Sequence, residues 1–166
     1  MAAIDRRPWA PLPTLRREIR FPHSLGLLYS TFTAYLGFNV NEDEYKVMGL
    51  AAYGQPTMME QVRRLIRRFP DGSFALVPEY LEFHRAADRS YSAKFVDLFG
   101  PPRHRYDPID LDSTEGRRLA DCAASVQRLL EDVLVDIATR LRRETGESDL
   151  CFGGGVASTA SLTPAS

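Results

Sequence analysis

From about Thr114 to Thr145 the chain carries a single apolar stripe, in which Leu119, Cys122, Ala123, Val126, Leu130, Val133, Leu134, Ile137 and Leu141 recur at three- and four-residue spacing. Only a helix brings such positions onto one side. Acidic residues stand early in the stretch and Arg140, Arg142 and Arg143 late, as the helix dipole favours, and Gly146 follows as the stop. Immediately after it, Leu150-Cys151-Phe152 reads as a short buried strand running into Gly153-Gly154-Gly155 and then Val156-Ala157. A long helix beside a strand that ends in glycines predicts an α/β arrangement. A strand and glycine turn that feed a helix form a site for phosphate or ribose, because bare backbone approaches the ligand and helix N–H groups point at it. Ser158 to Ser166 has no apolar period, no charge and one proline, so it reads as a loose tail and the nucleotide site as unfinished.

Upstream, Leu25, Leu28, Phe32, Tyr35 and Leu36 fall at helical spacing behind Ser24, which predicts a helix capped by Ser24 and ending near Gly37. Asn41 and Glu44 have capping-box spacing ahead of a second short helix through Tyr45, Met48 and Leu50 that stops at Gly54. Pro56 opens a third, over about Thr57 to Phe69, with Arg63, Arg64, Arg67 and Arg68 as a solvated basic face. Pro70-Asp71-Gly72 is a turn, and Ser73 to Val77 a strand or hairpin arm. Between Pro78 and Asp112 the pattern supports one short helix near Ala93 to Phe99.

A chain of 166 residues, 44% hydrophobic and 26% charged, with net charge -1, is an ordinary globular domain. It has no electrostatic footprint for nucleic acid and no apolar stretch of the ~20 residues that a membrane helix needs. Met1 to Arg20 contains arginines and three prolines but no apolar core, so it is read as an irregular segment rather than a signal peptide. Cys122 and Cys151 lie in apolar patterns without metal or redox spacing, and the expected compartment is the reducing cytoplasm.

Three segments together resemble a known family. Phe21-Pro22-His23-Ser24-Leu25-Gly26-Leu27-Leu28-Tyr29-Ser30 with Tyr35-Leu36-Gly37-Phe38, then Glu44-Tyr45-Lys46-Val47-Met48-Gly49-Leu50-Ala51-Ala52-Tyr53-Gly54, and finally Leu150 to Ala157 are similar to motifs of the O-carbamoyltransferases. These include nodulation-factor and antibiotic carbamoyltransferases. Ala52 stands where that family commonly has proline, and Asp121, Ala124, Gln127 and Glu131 match the helix before its glycine turn. The resemblance runs from Phe21 to Ala157 and implies part of an actin-like ATPase (RNase H-like) domain, here a helix-rich fragment. In such enzymes a further domain makes carbamoyl-adenylate from carbamoyl phosphate and ATP. The actin-like domain passes the carbamoyl group to a hydroxyl of a sugar, antibiotic or similar metabolite, with an iron-type divalent metal beside the phosphate.

On this resemblance Gly154 and Gly155 approach the adenylate, Val156 packs beneath them, and Lys46 contacts the nucleotide or acceptor. Glu44, Ser24 and His23 are further candidate contacts. From local pattern alone the glycines are a turn, Lys46 is a solvated head on an apolar stem, Glu44 and Ser24 are caps, and His23 is a satisfied loop histidine. His84 and His104 have no ligand partner at useful spacing. The family's metal-binding histidines and aspartate fall outside the matched segments, so this chain is expected to hold no metal. As an isolated chain it is expected to be inactive, awaiting a complementary lobe or a second copy of itself.

The tail departs from the family after Ala157. Removing one C from the first leucine codon of a back-translated Val-Ala-Leu-Asn-Ser-Val-Ala-Asn-Ala-Arg-Leu yields Ser-Thr-Ala-Ser-Leu-Thr-Pro-Ala-Ser, the sequence of residues 158 to 166. A frameshift there is therefore expected. The competing expectation from another class is a non-catalytic remnant that packs against a partner, and a tRNA-modifying relative fits less well because no basic patch stands out.

Overall fold

A computed structural model describes residues 2–5, 14–83 and 90–156. Expectations for His84, Ala157 and the 158–166 tail lie outside these residues. In chain order the elements are β1 (Ala2–Asp5), β2 (Thr14–Glu18), α1 (Leu25–Tyr35), α2 (Glu44–Ala51), α3 (Met59–Arg63), β3 (Ile66–Arg68), β4 (Phe74–Leu76), α4 (Ala93–Phe99) and α5 (Thr114–Thr145). The class is mixed α/β: helices with two small two-stranded sheets, β1 antiparallel to β2 and β3 antiparallel to β4.

The long helix has the bounds its apolar stripe predicts. Ser113 caps it by accepting the Gly116 N–H, and Gly146 closes it at φ +73, where its N–H returns to the Arg142 carbonyl. That left-handed position suits glycine, which has no Cβ to clash. The stripe is buried from Leu119 to Leu134, while Ile137 is half-buried and still packs on the core. α1, α2 and α3 all pack on α5, and their apolar side chains merge with its stripe in one core.

Aromatic rings fasten α4 to α1. Phe32 meets Phe95 and Phe99 edge to face, with centroids 5.1 and 5.2 Å apart, and Tyr35 meets Phe95 at 5.3 Å. Each such pair adds roughly 0.5–1.5 kcal/mol beyond burial. At the end of this cluster the Tyr35 hydroxyl donates to the Phe99 carbonyl (2.8 Å). Arg118 of α5 donates to Tyr35 Oη, to the Phe99 carbonyl and, at 2.6 Å, to the Pro101 carbonyl.

Several expectations change. Residues 1–20, read as irregular, contain β1 and β2. The helix expected over Thr57 to Phe69 stops at Arg63, and Ile66–Arg68 turns into a strand because Phe69 and Ser73 close a hairpin (Phe69 N–H to Ser73 carbonyl, 2.9 Å) that hands β3 a partner. The four arginines therefore do not share a helix face: Arg68 is in β3, ion-paired with Asp136 of α5. Leu150-Cys151-Phe152 is not a strand. Leu150 and Cys151 are exposed, and among the described residues no strand pairs with them. Asn41 does not cap α2. It sits at φ +68, with Asp43 at the cap position.

Candidate functional site

The glycine turn leaves its backbone open. A Cβ built at Gly153, Gly154 or Gly155 meets no atom within 4 Å, and Gly154 sits at φ +103, a conformation that side chains strongly disfavour. Gly155 and Val156 have helical backbone. The expectation that no helix follows the turn falls on residues 158–166, outside the described residues.

This turn lies against the start of α1. A Cβ built at Gly26 would stand 3.5 Å from a Val156 γ-methyl and 3.5 Å from Ser24 Oγ. Ser24 and Val156, 132 positions apart in a chain read from two separate motifs, therefore flank one point. Ser24 is the cap that its position predicts, its Oγ accepting the Leu27 N–H at 3.3 Å. His23 accepts the Leu76 N–H at Nδ1 (3.1 Å), which leaves the ring proton of the neutral form on Nε2. It ties the α1 entry to β4 as a satisfied loop histidine.

Glu44 reaches the same helix from the other side. Its Oε1 accepts the Asn41 N–H (2.8 Å) and the Ser30 hydroxyl (3.1 Å), so it holds the turn ahead of α2 and clasps α2 to α1. Lys46 belongs elsewhere. Its Nζ pairs with Asp43 Oδ1 at 2.8 Å and lies 5.8 Å from the Tyr45 ring centroid. The hydrogen bond with Asp43 raises the Lys46 pKa above the ordinary lysine value and lowers that of Asp43. Lys46 is thus a firmly charged cation already holding a partner.

Residues that local pattern did not single out join the site. Tyr29 is 2% exposed, and its hydroxyl donates to Gln127 Oε1 (2.9 Å), while Gln127 Nε2 donates to Glu131 Oε1 (2.9 Å). Burial first, then the carboxylates of Glu44 and Glu131, push the Tyr29 phenol far above its ordinary value, so it stays a neutral donor. Gln127 and Glu131 lie four apart on α5, the spacing at which helix side chains meet. That spacing is visible in sequence; their meeting with Tyr29 is not.

Among the described residues no three His, Cys, Asp or Glu side chains converge to hold a metal ion. With His23 Nδ1 committed to Leu76, the iron-type metal implied by the resemblance does not fit these residues. No helix among them is long and apolar enough to cross a membrane.

A family described as Carbamoyltransferase N-terminus matches residues 12–162. The chain belongs to this family. It is 43% identical over 141 residues to the uncharacterized protein sll1178 of Synechocystis, covering 84% of this chain and 22% of that protein. Nodulation protein NolO of Bradyrhizobium diazoefficiens is 32% identical over 149 residues, covering 87% of this chain and 24% of the relative. Nodulation protein NolNO of Sinorhizobium fredii is 31% identical over 147 residues, covering 86% and 19%. The chain thus spans about a fifth to a quarter of the length of these curated relatives.

Proposed function

We propose that this carbamoyltransferase segment receives a carbamoyl-adenylate at the Gly153–Val156 turn and presents it to a hydroxyl of a small-molecule acceptor. The helices and small sheets are read as part of an actin-like ATPase domain working in the cytoplasm, where free thiols such as Cys122 and Cys151 persist. The adenylate is formed elsewhere in the longer protein from carbamoyl phosphate and ATP. In transfer, the acceptor oxygen bonds to the carbamoyl carbon, the bond from that carbon to the adenylate phosphate oxygen breaks, AMP departs and the hydroxyl proton is released.

The observation that carries this reading is the open backbone of the turn beside the α1 N-terminus. The absence of side chains at three successive positions lets a phosphate approach the backbone closely. Ser24 and Gly26 border the position, and Glu44 holds α1 there through Ser30.

Titration of ATP into the ¹⁵N-labelled protein tests the reading. Amide shifts concentrated at Gly153–Val156 and Ser24–Leu27 are expected. Saturating shifts confined to another surface, or none at millimolar nucleotide, would refute it. Transfer of label from radioactive carbamoyl phosphate to a polyhydroxylated acceptor, in the longer protein that contains this segment, tests the chemistry.

A further inference from the structure

We propose that Tyr29, set by Gln127 and Glu131, is a positioning residue that fixes where the glycine turn sits. The proposal rests on the reading of that turn as the nucleotide site, but its structural content is independent of it. Gly26 and Tyr29 lie three apart and so share a face of α1. At Gly26 that face meets Val156; one turn on, at Tyr29, it meets α5.

The direction of the hydrogen bonds is fixed by chemistry. Glu131 Oε1 accepts from Gln127 Nε2, which turns Gln127 Oε1 toward Tyr29. Tyr29, kept neutral by burial, then has to donate. One side-chain amide thus sets the rotation of α1 about its axis. The next residue, Ser30, donates to Glu44 on α2, so consecutive positions bind α1 to both neighbouring helices. A rotation of α1 that kept one bond would break the other. Because Gly26 lies on the helix so held, Val156 and the turn behind it inherit a fixed position, although Tyr29 is 2% exposed and itself buried away from any ligand.

Hydrogen–deuterium exchange of the protein with Tyr29→Phe provides the test, since this change removes one oxygen and leaves the ring. Amides at Gly153–Val156 are expected to exchange several-fold faster than in the unmodified protein, although Tyr29 donates to none of them. Gln127→Glu, which keeps the side-chain length but withdraws the donor from Glu131, is expected to do the same if the phenylalanine variant fails to fold. Faster exchange confined to α1 and α5, with the turn unchanged, overturns the proposal. ATP added to the unmodified protein separates the two ideas. If ATP does not protect the turn but Tyr29→Phe speeds its exchange, the nucleotide reading fails and the coupling stands. If ATP protects the turn and neither variant alters it, the coupling fails alone.

Discussion

Gly54 lies so close to Ala120 that a Cβ on it would stand 2.1 Å from the Ala120 carbonyl oxygen. The segment leaving α2 therefore rests directly on the backbone of α5, and no side-chain rotation relieves a larger residue there. Gly54→Ala is expected to destabilise by about 3 kcal/mol, the upper part of the range for overpacking. Gly49, inside α2, has nothing within 4 Å of a built Cβ. Gly49→Ala should stabilise by about 0.5–1 kcal/mol through helix entropy. Urea unfolding of the two variants reads the opposite signs, and equal effects would show that α2 does not approach α5 as described.

Asp121 anchors the same loop one residue further along α5. Its Oδ1 accepts the Gln55 N–H and its Oδ2 the Thr57 hydroxyl, both at 2.8 Å. Asp121→Ala should cost about 1–2 kcal/mol, as for a lost capping acceptor. Asp121→Asn keeps one acceptor oxygen and should lose less, measured by the shift in urea midpoint at constant slope.

Arg118 gathers the end of α4 onto α5. It makes a two-point contact with Glu115 (2.9 and 2.5 Å) and donates to the Phe99 and Pro101 carbonyls and to Tyr35. Arg118→Ala should destabilise by about 1.5–3 kcal/mol, the range for hydrogen bonds to charged groups. Arg118→Lys should recover only part, because an ammonium lacks the planar fork that serves several acceptors at once. A lysine variant as stable as the unmodified protein by thermal unfolding would contradict that geometry.

The two cysteines should separate in reactivity. Cys151 is exposed, whereas Cys122 is fully buried and burial pushes its thiol from 9.0 up to about 12. One equivalent of a thiol reagent should react quickly with the folded protein and the second only on unfolding. The same shift predicts an alkaline limb of stability. The folded state holds the Cys122 proton more tightly than the unfolded chain, so its contribution is complete below pH 9.0 and is lost as pH rises toward about 12. Tyr29 and Tyr35, both raised chiefly by burial, act with the same sign. Cys122→Ala should flatten the slope of unfolding free energy against pH by up to about 1.4 kcal/mol per pH unit in that window. An unchanged slope would show the thiol to be solvated.

Periodicity exposed the long elements because it acts within one segment. The stripe from Leu119 to Leu134 has one helical solution, and α1 and α4 follow from Ser24 and from the spacing of Phe95 and Phe99. It failed where the deciding partner was remote. Val62, Leu65, Ile66 and Phe69 have helical spacing, yet β4 supplies Phe74–Leu76 opposite Ile66–Arg68, and paired backbone groups prevail over a local pattern. Leu150 to Phe152 has strand-forming residues but no described strand beside it, and a strand is defined by its partner.

The amino-acid sequence by itself determined the Ser24 cap, the long helix and the left-handed positions at Gly146 and Gly154, since these depend on side-chain size and on neighbours within a few residues. Tertiary structure alone decided that Val156 meets the α1 start at Gly26 and that Tyr29 reaches Gln127. Those meetings depend on how α1, α2 and the glycine turn are seated around α5. That seating is set by packing and hydrogen bonds between residues up to 130 positions apart, as from Gly26 to Val156.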